Sequence, residues 1–340
     1  MKRIGFIFEK ICSRENIRLA IIEAARNKHK KKSVIEVLDN LESYVEQIHE
    51  MLLTRAFHPS APIIKQHYEP LQRKTRQLTI LPFYPDQIVQ HAVMRIVIPT
   101  LRRGMYEYCC SNVPGRGEKH IRLHLSKILK NDARNSKYCL KFDIKQFYPS
   151  VSLTLLKQKL RRIIKDEKAL ALLDELLTVQ KDGLTLGSYS SQWLANFFLQ
   201  DLDHFIKEKL QIRYMYRYAD DIVMLDSNRR KLLKAFYEIK EFLRLQKLEI
   251  KPSWRLFLVN NKESIDFVGY RFYRNKISIR KRIFKNVRRC LLKIRHAELN
   301  QKLIRSFMSY LGYIKNSNSY KIQNTYLKGI SMPKLKRLLK

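Results

Sequence analysis

Two adjacent carboxylates, Asp220 and Asp221, stand in the run Arg213-Tyr-Met-Tyr-Arg-Tyr-Ala-Asp-Asp-Ile-Val-Met-Leu225. Ahead of them Tyr214, Tyr216 and Tyr218 alternate with Met215 and Arg217, and apolar residues follow. The spacing predicts two short strands joined by a tight turn that carries both acids. Adjacent acids at a hairpin tip repel each other unless a cation lies between them, and an isolated Asp-Asp pair is more often just a solvated turn. Upstream, Tyr138 to Ile144 alternates, placing Tyr138, Leu140, Phe142 and Ile144 on one strand face and Cys139, Lys141 and Asp143 on the other. Asp143 ends that strand and is followed by the aromatic pair Phe147-Tyr148. If the strand lies beside the hairpin, three carboxylates converge, as a two-metal phosphoryl-transfer site requires. There one Mg2+ activates an attacking 3′ hydroxyl and the other holds a triphosphate, the ions roughly 3.5 to 4 Å apart. Hard oxygen ligands suit magnesium, with manganese as a substitute, and no His or Cys cluster in the sequence competes.

Around these residues the chain reads mostly as helix. Residues 1 to about 60 are expected to be helical, with Val34, Leu38, Leu41, Val45, Ile48 and Leu52 forming an apolar stripe after a Ser33 cap. Pro59, Pro62 and Pro70 then break the helix. Residues 63 to 82 read as extended and basic, Lys65, Arg73, Lys74 and Arg76 leading into Leu78-Thr-Ile-Leu81, and Asp86 to Leu101 is helical again. Gly104 to Gly117 reads as a loop. Further helices are expected at about 152 to 179, 190 to 210 and 229 to 246, with short strands ending near 273 after Asp266-Phe-Val-Gly-Tyr-Arg-Phe272. The tail from about 280 is basic and helical and reads as a separate subdomain. Helices packed against an antiparallel hairpin indicate an α+β fold.

A chain of 340 residues has room for two or three packed subdomains. Lys and Arg number 68 against 31 Asp and Glu, a net charge of +37 spread along the whole length. Self-repulsion on this scale is relieved by a polyanion, of which nucleic acid is the commonest. No run of about 18 apolar residues occurs, which argues against a membrane protein. Ile4 to Phe8 is too short for a signal-peptide core and is closed by Glu9 and Lys10. Five cysteines with no Cys-x-x-Cys pair suggest a reducing, cytoplasmic setting without structural zinc, and Cys109-Cys110 read as small core residues.

Four segments now fall in a telling order: Phe142-Asp-Ile-Lys-Gln-Phe-Tyr-Pro-Ser150, Gly183-Leu-Thr-Leu-Gly-Ser-Tyr-Ser-Ser-Gln192, Tyr218-Ala-Asp-Asp221 and Phe267-Val-Gly-Tyr270. They resemble the ordered palm motifs of reverse transcriptases, and Arg76-Gln-Leu-Thr-Ile80, Asp86-Gln-Ile-Val-Gln90 and Pro114-Gly-Arg-Gly117 resemble the fingers motifs of the bacterial branch. The resemblance implies a right-hand polymerase with an N-terminal helical extension over 1–62, fingers and palm with an antiparallel sheet over 63–275, and a basic helical thumb over 276–340. Where that family usually has Gln-Gly-x-x-x-Ser-Pro, this chain has Leu186-Gly187-Ser-Tyr-Ser-Ser191-Gln192. That variant, with Phe83-Tyr-Pro-Asp-Gln-Ile-Val-Gln-His91 and Ser309-Tyr-Leu-Gly312, is similar to reverse transcriptases of diversity-generating retroelements. Those enzymes copy a template RNA into adenine-mutated cDNA with a small basic helical accessory protein. Group II intron and retron enzymes are the near alternatives.

The resemblance also implies roles. Asp143, Asp220 and Asp221 look like the metal ligands and catalytic acids, with Ile144 counted beside them at the metal site. Arg76, and with it Lys65 and Lys74, would neutralise a triphosphate, although a single Lys in so basic a chain more often binds backbone generically. Tyr148, with Phe147 beside it, would lie under the sugar and exclude a 2′ hydroxyl; as a lone aromatic it would be core. Leu186 and Gly187 would face the incoming nucleotide, Ser191 and Gln192 the template, and Phe267, Val268, Gly269 and Tyr270 the primer. Lys251 is the candidate general acid toward leaving pyrophosphate, with Lys262 as its competitor. Implied partners are template RNA, cDNA primer and product, dNTPs and an oligomeric accessory protein, with no membrane. Two other classes stand beside this reading: a non-catalytic RNA-binding protein on a decayed polymerase scaffold, which the intact acids disfavour, and an RNA-dependent RNA polymerase, which Tyr148 disfavours.

Overall fold

The computed structural model describes residues 3–69, 74–179, 183–296, 300–320, 323–327, 330 and 332–338. The chain begins with helices α1 (Phe8–Cys12), α2 (Arg14–Ala25), α3 (Lys32–Asp39) and α4 (Leu41–Leu53), followed by an antiparallel ribbon of β1 (Ile63–Glu69) and β2 (Lys74–Ile80). A π-helical turn at Phe83–Gln87 leads into α5 (Ile88–Arg102), and α6 (Glu118–Asn131) precedes β3 (Tyr138–Asp143). Then come α7 (Phe147–Ser150), α8 (Leu153–Ile163), α9 (Glu167–Leu176), α10 (Tyr189–Phe198) and α11 (Gln200–His204). The hairpin β4 (Tyr214–Tyr218) and β5 (Asp221–Asp226) is followed by α12 (Arg229–Leu245). Strands β6 (Arg255–Leu258), β7 (Ile265–Phe267), β8 (Tyr270–Phe272) and β9 (Ile277–Ile279) lead to α13 (Lys281–His296) and α14 (Gln301–Lys315).

Among the described residues the strands form the β1–β2 ribbon, a four-stranded sheet in the order β4-β5-β3-β6 and a three-stranded sheet β7-β8-β9, with neighbours antiparallel throughout. Period-two alternation gives the four-stranded sheet two apolar faces. Leu140, Phe142, Met215, Ile222 and Met224 enter the largest core, which also holds residues of α1, α2, α4, α5, α10 and α12. Cys139, Tyr216, Val223 and Leu225 enter a second core under α6 and β7–β8. Lys141, Asp143 and Asp221 share this second face by parity, and they lie toward the end where polar side chains replace apolar ones. A third core lies within the C-terminal helices around Val287, Leu291, Ile304, Phe307 and Ile314.

Several local expectations need correction. The stripe from Val34 to Leu52 is divided at Asn40, which leaves helical geometry at φ −117° and ψ 36° and donates its side-chain amide back to the Glu36 carbonyl at 3.0 Å. Asparagine competes with the helix for backbone groups, so the break is local chemistry. The cap position before α3 is Lys31, not Ser33, which lies inside the helix. The helix expected over 152–179 is interrupted because Ile164 turns extended and bridges to Ile4, while Asp166 holds two helix starts. Its Oδ2 accepts from the Ile7 and Phe8 amides at 2.7 and 2.9 Å, and its Oδ1 from the Ala169 amide at 3.1 Å. Strand β9 was not expected, being only three residues of weak pattern. All five cysteines are buried thiols, and no helix of the described residues is long and apolar enough to cross a membrane.

Candidate active site

Sheet register decides which acids meet. Asp143 at the end of β3 is the direct cross-strand partner of Asp221 at the start of β5, and the Ile144 amide donates to the Asp220 carbonyl at 3.2 Å. Ala219 takes a left-handed conformation (φ 55°) in the turn that carries the pair, strain that a functional turn tolerates. Two lysines enter the acidic cluster. Lys251 Nζ lies 3.5 Å from Asp143 Oδ1 and 3.6 Å from Asp220 Oδ2, and Lys141 Nζ lies 3.0 Å from Asp221 Oδ2. Lys251 is delivered by backbone pairing: its amide donates to the Asp143 carbonyl at 2.8 Å, next to the Ile144–Ile250 bridge. Lys262 sits in an exposed turn, its amide bonded to Asn260 Oδ1 at 2.7 Å, so of the two candidate general acids Lys251 is the one at the carboxylates. Ile144 brings only its backbone; its side chain is fully buried in the largest core, as strand alternation dictates.

Burial pushes the Asp221 carboxyl up to about 7, with Lys141 opposing and Asp143 adding to the rise. Asp220 is raised for the same reason, against the pull of Lys251 and Arg76. Asp221 Oδ1 is buried with no hydrogen-bond partner. Among the described residues no three His, Cys, Asp or Glu side chains close around one point, and the two lysine ammoniums lie among the acids instead. An oxygen-only donor set, desolvated like charges and an unpartnered buried carboxylate oxygen together fit a hard divalent cation such as magnesium.

The turn is anchored from below by a residue that the sequence reading passed over. Arg217 is fully buried and binds Asp203 with Nε to Oδ1 at 2.7 Å and Nη2 to Oδ2 at 2.6 Å. Its Nη1 donates to Asn196 Oδ1 at 3.2 Å and to the Ala219 carbonyl at 3.3 Å, so the guanidinium holds the turn itself. The available cue was parity: Arg217 alternates with Tyr216 and Tyr218 and so points with Met215 into the core. A charge there demands a buried counter-charge.

Beside the acids lie the ribbon and the segment before α10. Arg76 Nε pairs with Glu69 at 3.0 Å, and its charge acts on both Tyr148 and Asp220. Lys65 is exposed on β1 opposite Leu78; Arg73 and the side chain of Lys74 lie outside the described residues. Burial pushes the Tyr148 phenol up to about 12, and its carbonyl accepts from the Leu184 amide at 2.8 Å. Phe147 meets Tyr148 edge-on at 5.6 Å but is buried in the largest core, so Tyr148 is the aromatic whose charge environment includes Asp220. Leu186 is half-buried and its carbonyl accepts from the Thr79 amide at 2.7 Å. Gly187 has φ +110°, and an added Cβ would lie 2.4 Å from the Thr79 carbonyl oxygen, so glycine is demanded by contact with β2.

On α10 Ser191 is buried and Gln192 exposed, which leaves Gln192 as the one of the pair that faces outward. Gln90 holds the start of α10, its Oε1 accepting from Ser188 Oγ at 2.9 Å and the Tyr189 amide at 3.1 Å. In the small sheet Phe267 and Tyr270 are buried in the second core, and of the turn between them Gly269 is buried while Val268 is half-buried against the same core. Gly269 (φ +90°) packs on Tyr313 of α14, an added Cβ falling 2.8 Å from its ring.

A family model described as reverse transcriptase (RNA-dependent DNA polymerase) matches residues 63–272. A solved structure of apo telomerase from Candida tropicalis, truncated from the C-terminal domain, is similar with a TM-score of 0.48 at 13% identity. That likeness covers 64% of this chain and 55% of the telomerase chain, so the chain spans little more than half of that protein's length. No curated protein matches the sequence.

Proposed function

Because the chain belongs to the reverse transcriptase family and has the α+β, right-hand polymerase fold of that family, we propose that it copies a template RNA into cDNA from dNTPs. The observation that carries this reading is Asp143 opposite Asp221 across two strands, with Lys251 bridging Asp143 and Asp220 and the charge of Arg76 acting on Asp220. Asp143, Asp220 and Asp221 would hold divalent magnesium, which when bound supplies the charge neutralisation and Lewis acidity that phosphoryl transfer needs. Arg76 binds and orients the triphosphate as a fixed cation, steadied by Glu69. Tyr148 walls the sugar side and excludes a 2′ hydroxyl. Lys251, poised on two of the acids, holds the proton for the departing pyrophosphate. Gln192 and the Val268–Gly269 turn steer template and primer.

The division into a helical extension (1–62), fingers and palm (63–275) and a basic thumb (276–340) belongs to the same proposal. So do the narrower assignments: a diversity-generating retroelement, errors concentrated at adenines, two metal ions, a small basic accessory protein and a cytoplasmic setting. The Leu186-Gly187-Ser-Tyr-Ser-Ser191-Gln192 variant supports the retroelement assignment. Primer extension on an RNA template tests the core reading. Asp220→Ala or Asp143→Ala is expected to abolish extension while RNA affinity stays within about threefold, since metal ligands serve chemistry and basic residues affinity. Affinity lost in parallel with activity would make the acids structural.

A further inference from the structure

Lys141 has no role in the reading above, yet its ammonium is shared by three groups. It is 3.0 Å from Asp221 Oδ2, it donates to the Asp266 backbone carbonyl, and it lies 5.6 Å from the centre of the Phe267 ring. The side chain is only 19% exposed, so these contacts are made largely out of water. An ammonium has three donors and no acceptor, so one lysine can satisfy a carboxylate and a carbonyl while resting on a π face. Asp266 is the middle residue of β7, the strand that runs into the Val268–Gly269 turn, and its own carboxylate pairs with Arg280 just before α13. One cation therefore joins an acid of the active site to the backbone that carries the turn.

We propose that Lys141 is a positioning residue: the resident counter-cation of Asp221 and the tether that fixes this carboxylate relative to the Val268–Gly269 turn. The second half rests on the reverse transcriptase reading, in which that turn supports the primer. Two consequences differ in sign. Removing the charge leaves Asp221 and its cross-strand partner Asp143 less compensated, so the acids take up a divalent cation more tightly. Removing the tether lets acid and turn drift apart, so turnover falls.

The test uses the full chain with Lys141→Gln, which loses the charge and, one bond shorter, cannot hold the Asp221 carboxylate and the Asp266 carbonyl together, and Lys141→Arg, which keeps the charge. Mn2+ binding without nucleic acid is followed by the electron paramagnetic resonance of the free ion. Half-saturation is expected about tenfold lower in Lys141→Gln and within about twofold of the parent in Lys141→Arg. In primer extension, Lys141→Gln should lose turnover on the order of tenfold with the dNTP KM little changed. Lys141→Met provides the same comparison should the glutamine variant fold poorly. Unchanged or weaker Mn2+ binding in a stably folded charge-removed variant overturns the proposal, because a merely structural lysine lowers the unfolding midpoint without strengthening ion binding. A parent chain that extends no primer, beside variants that show the Mn2+ shift, refutes the reverse transcriptase reading and leaves the counter-cation role standing.

Discussion

At position 186 a leucine stands where the resembling family usually carries glutamine, and its carbonyl is clamped to the Thr79 amide of β2 at 2.7 Å. In the proposed function this residue faces the incoming nucleotide, where a glutamine could hydrogen-bond near the sugar, whereas leucine offers apolar contact and leaves discrimination to base pairing and shape. One contact that tightens only around a correct pair contributes roughly 1 to 3 kcal/mol, or about 5- to 150-fold in selection. Leu186→Gln is therefore expected to reduce misincorporation, and on the proposed retroelement assignment most visibly opposite template adenine, as read by sequencing cDNA made by both enzymes on one RNA. The half-buried position lets the amide turn toward solvent, so the fold should tolerate it. An unchanged error spectrum in a stably folded variant would assign Leu186 to packing alone.

Between elements, the seam of α5 and α10 carries a built-in acid sensitivity. His91 stacks on Tyr189 with ring centres 4.0 Å apart, and its Nδ1 is buried with no hydrogen-bond partner. Burial holds the imidazole down at about 4, below its ordinary value of about 6.5. The unfolded chain therefore takes up the proton first. Stability from the neutral ring is complete above the unfolded value and is lost as pH falls from about 6.5 toward 4, by about 1 to 3 kcal/mol. Urea unfolding at pH 7 and pH 4.5 checks this: His91→Phe, which keeps the stack but cannot titrate, should show a correspondingly smaller drop. Equal drops in both proteins would place the acid sensitivity elsewhere. The seam matters for the site because Gln90, the next residue, holds Ser188 and Tyr189.

For the molecule as a whole, the charge of +37 is the dominant fact. Basic side chains recur on the ribbon, on α12 and through the C-terminal helices. Such a distribution predicts RNA affinity that falls steeply with salt, log K against log salt declining by about 0.7 to 0.9 per phosphate neutralised. A titration of RNA binding from low to moderate salt should give a slope of about four or more. A slope equivalent to one or two contacts would contradict a long basic track. The same charge offers a reason for the lysines at the acids: where carboxylates are outnumbered two to one, buried ones readily find an ammonium.

What the residues determine by themselves is local. Alternation over 138–144 and 214–225 already sorts Lys141 and Asp143 from Leu140 and Phe142, because a strand side chain has only two directions. The order of short motifs identifies the family, since each is carried by neighbours in the chain. Which distant residues meet was decided only by tertiary structure. Asp143 opposite Asp221 is a matter of register between strands far apart in sequence, and Lys251 reaches both Asp143 and Asp220 through a backbone pairing that no pattern encodes. The inward turn of Ser191, Phe147, Phe267 and Tyr270 follows from what covers each element, not from residue type. Charge compensation is a property of distance through space, so the cations that hold the site, Lys141 on Asp221 and Arg217 on Asp203 beneath the turn, became assignable only once the sheet had closed around them.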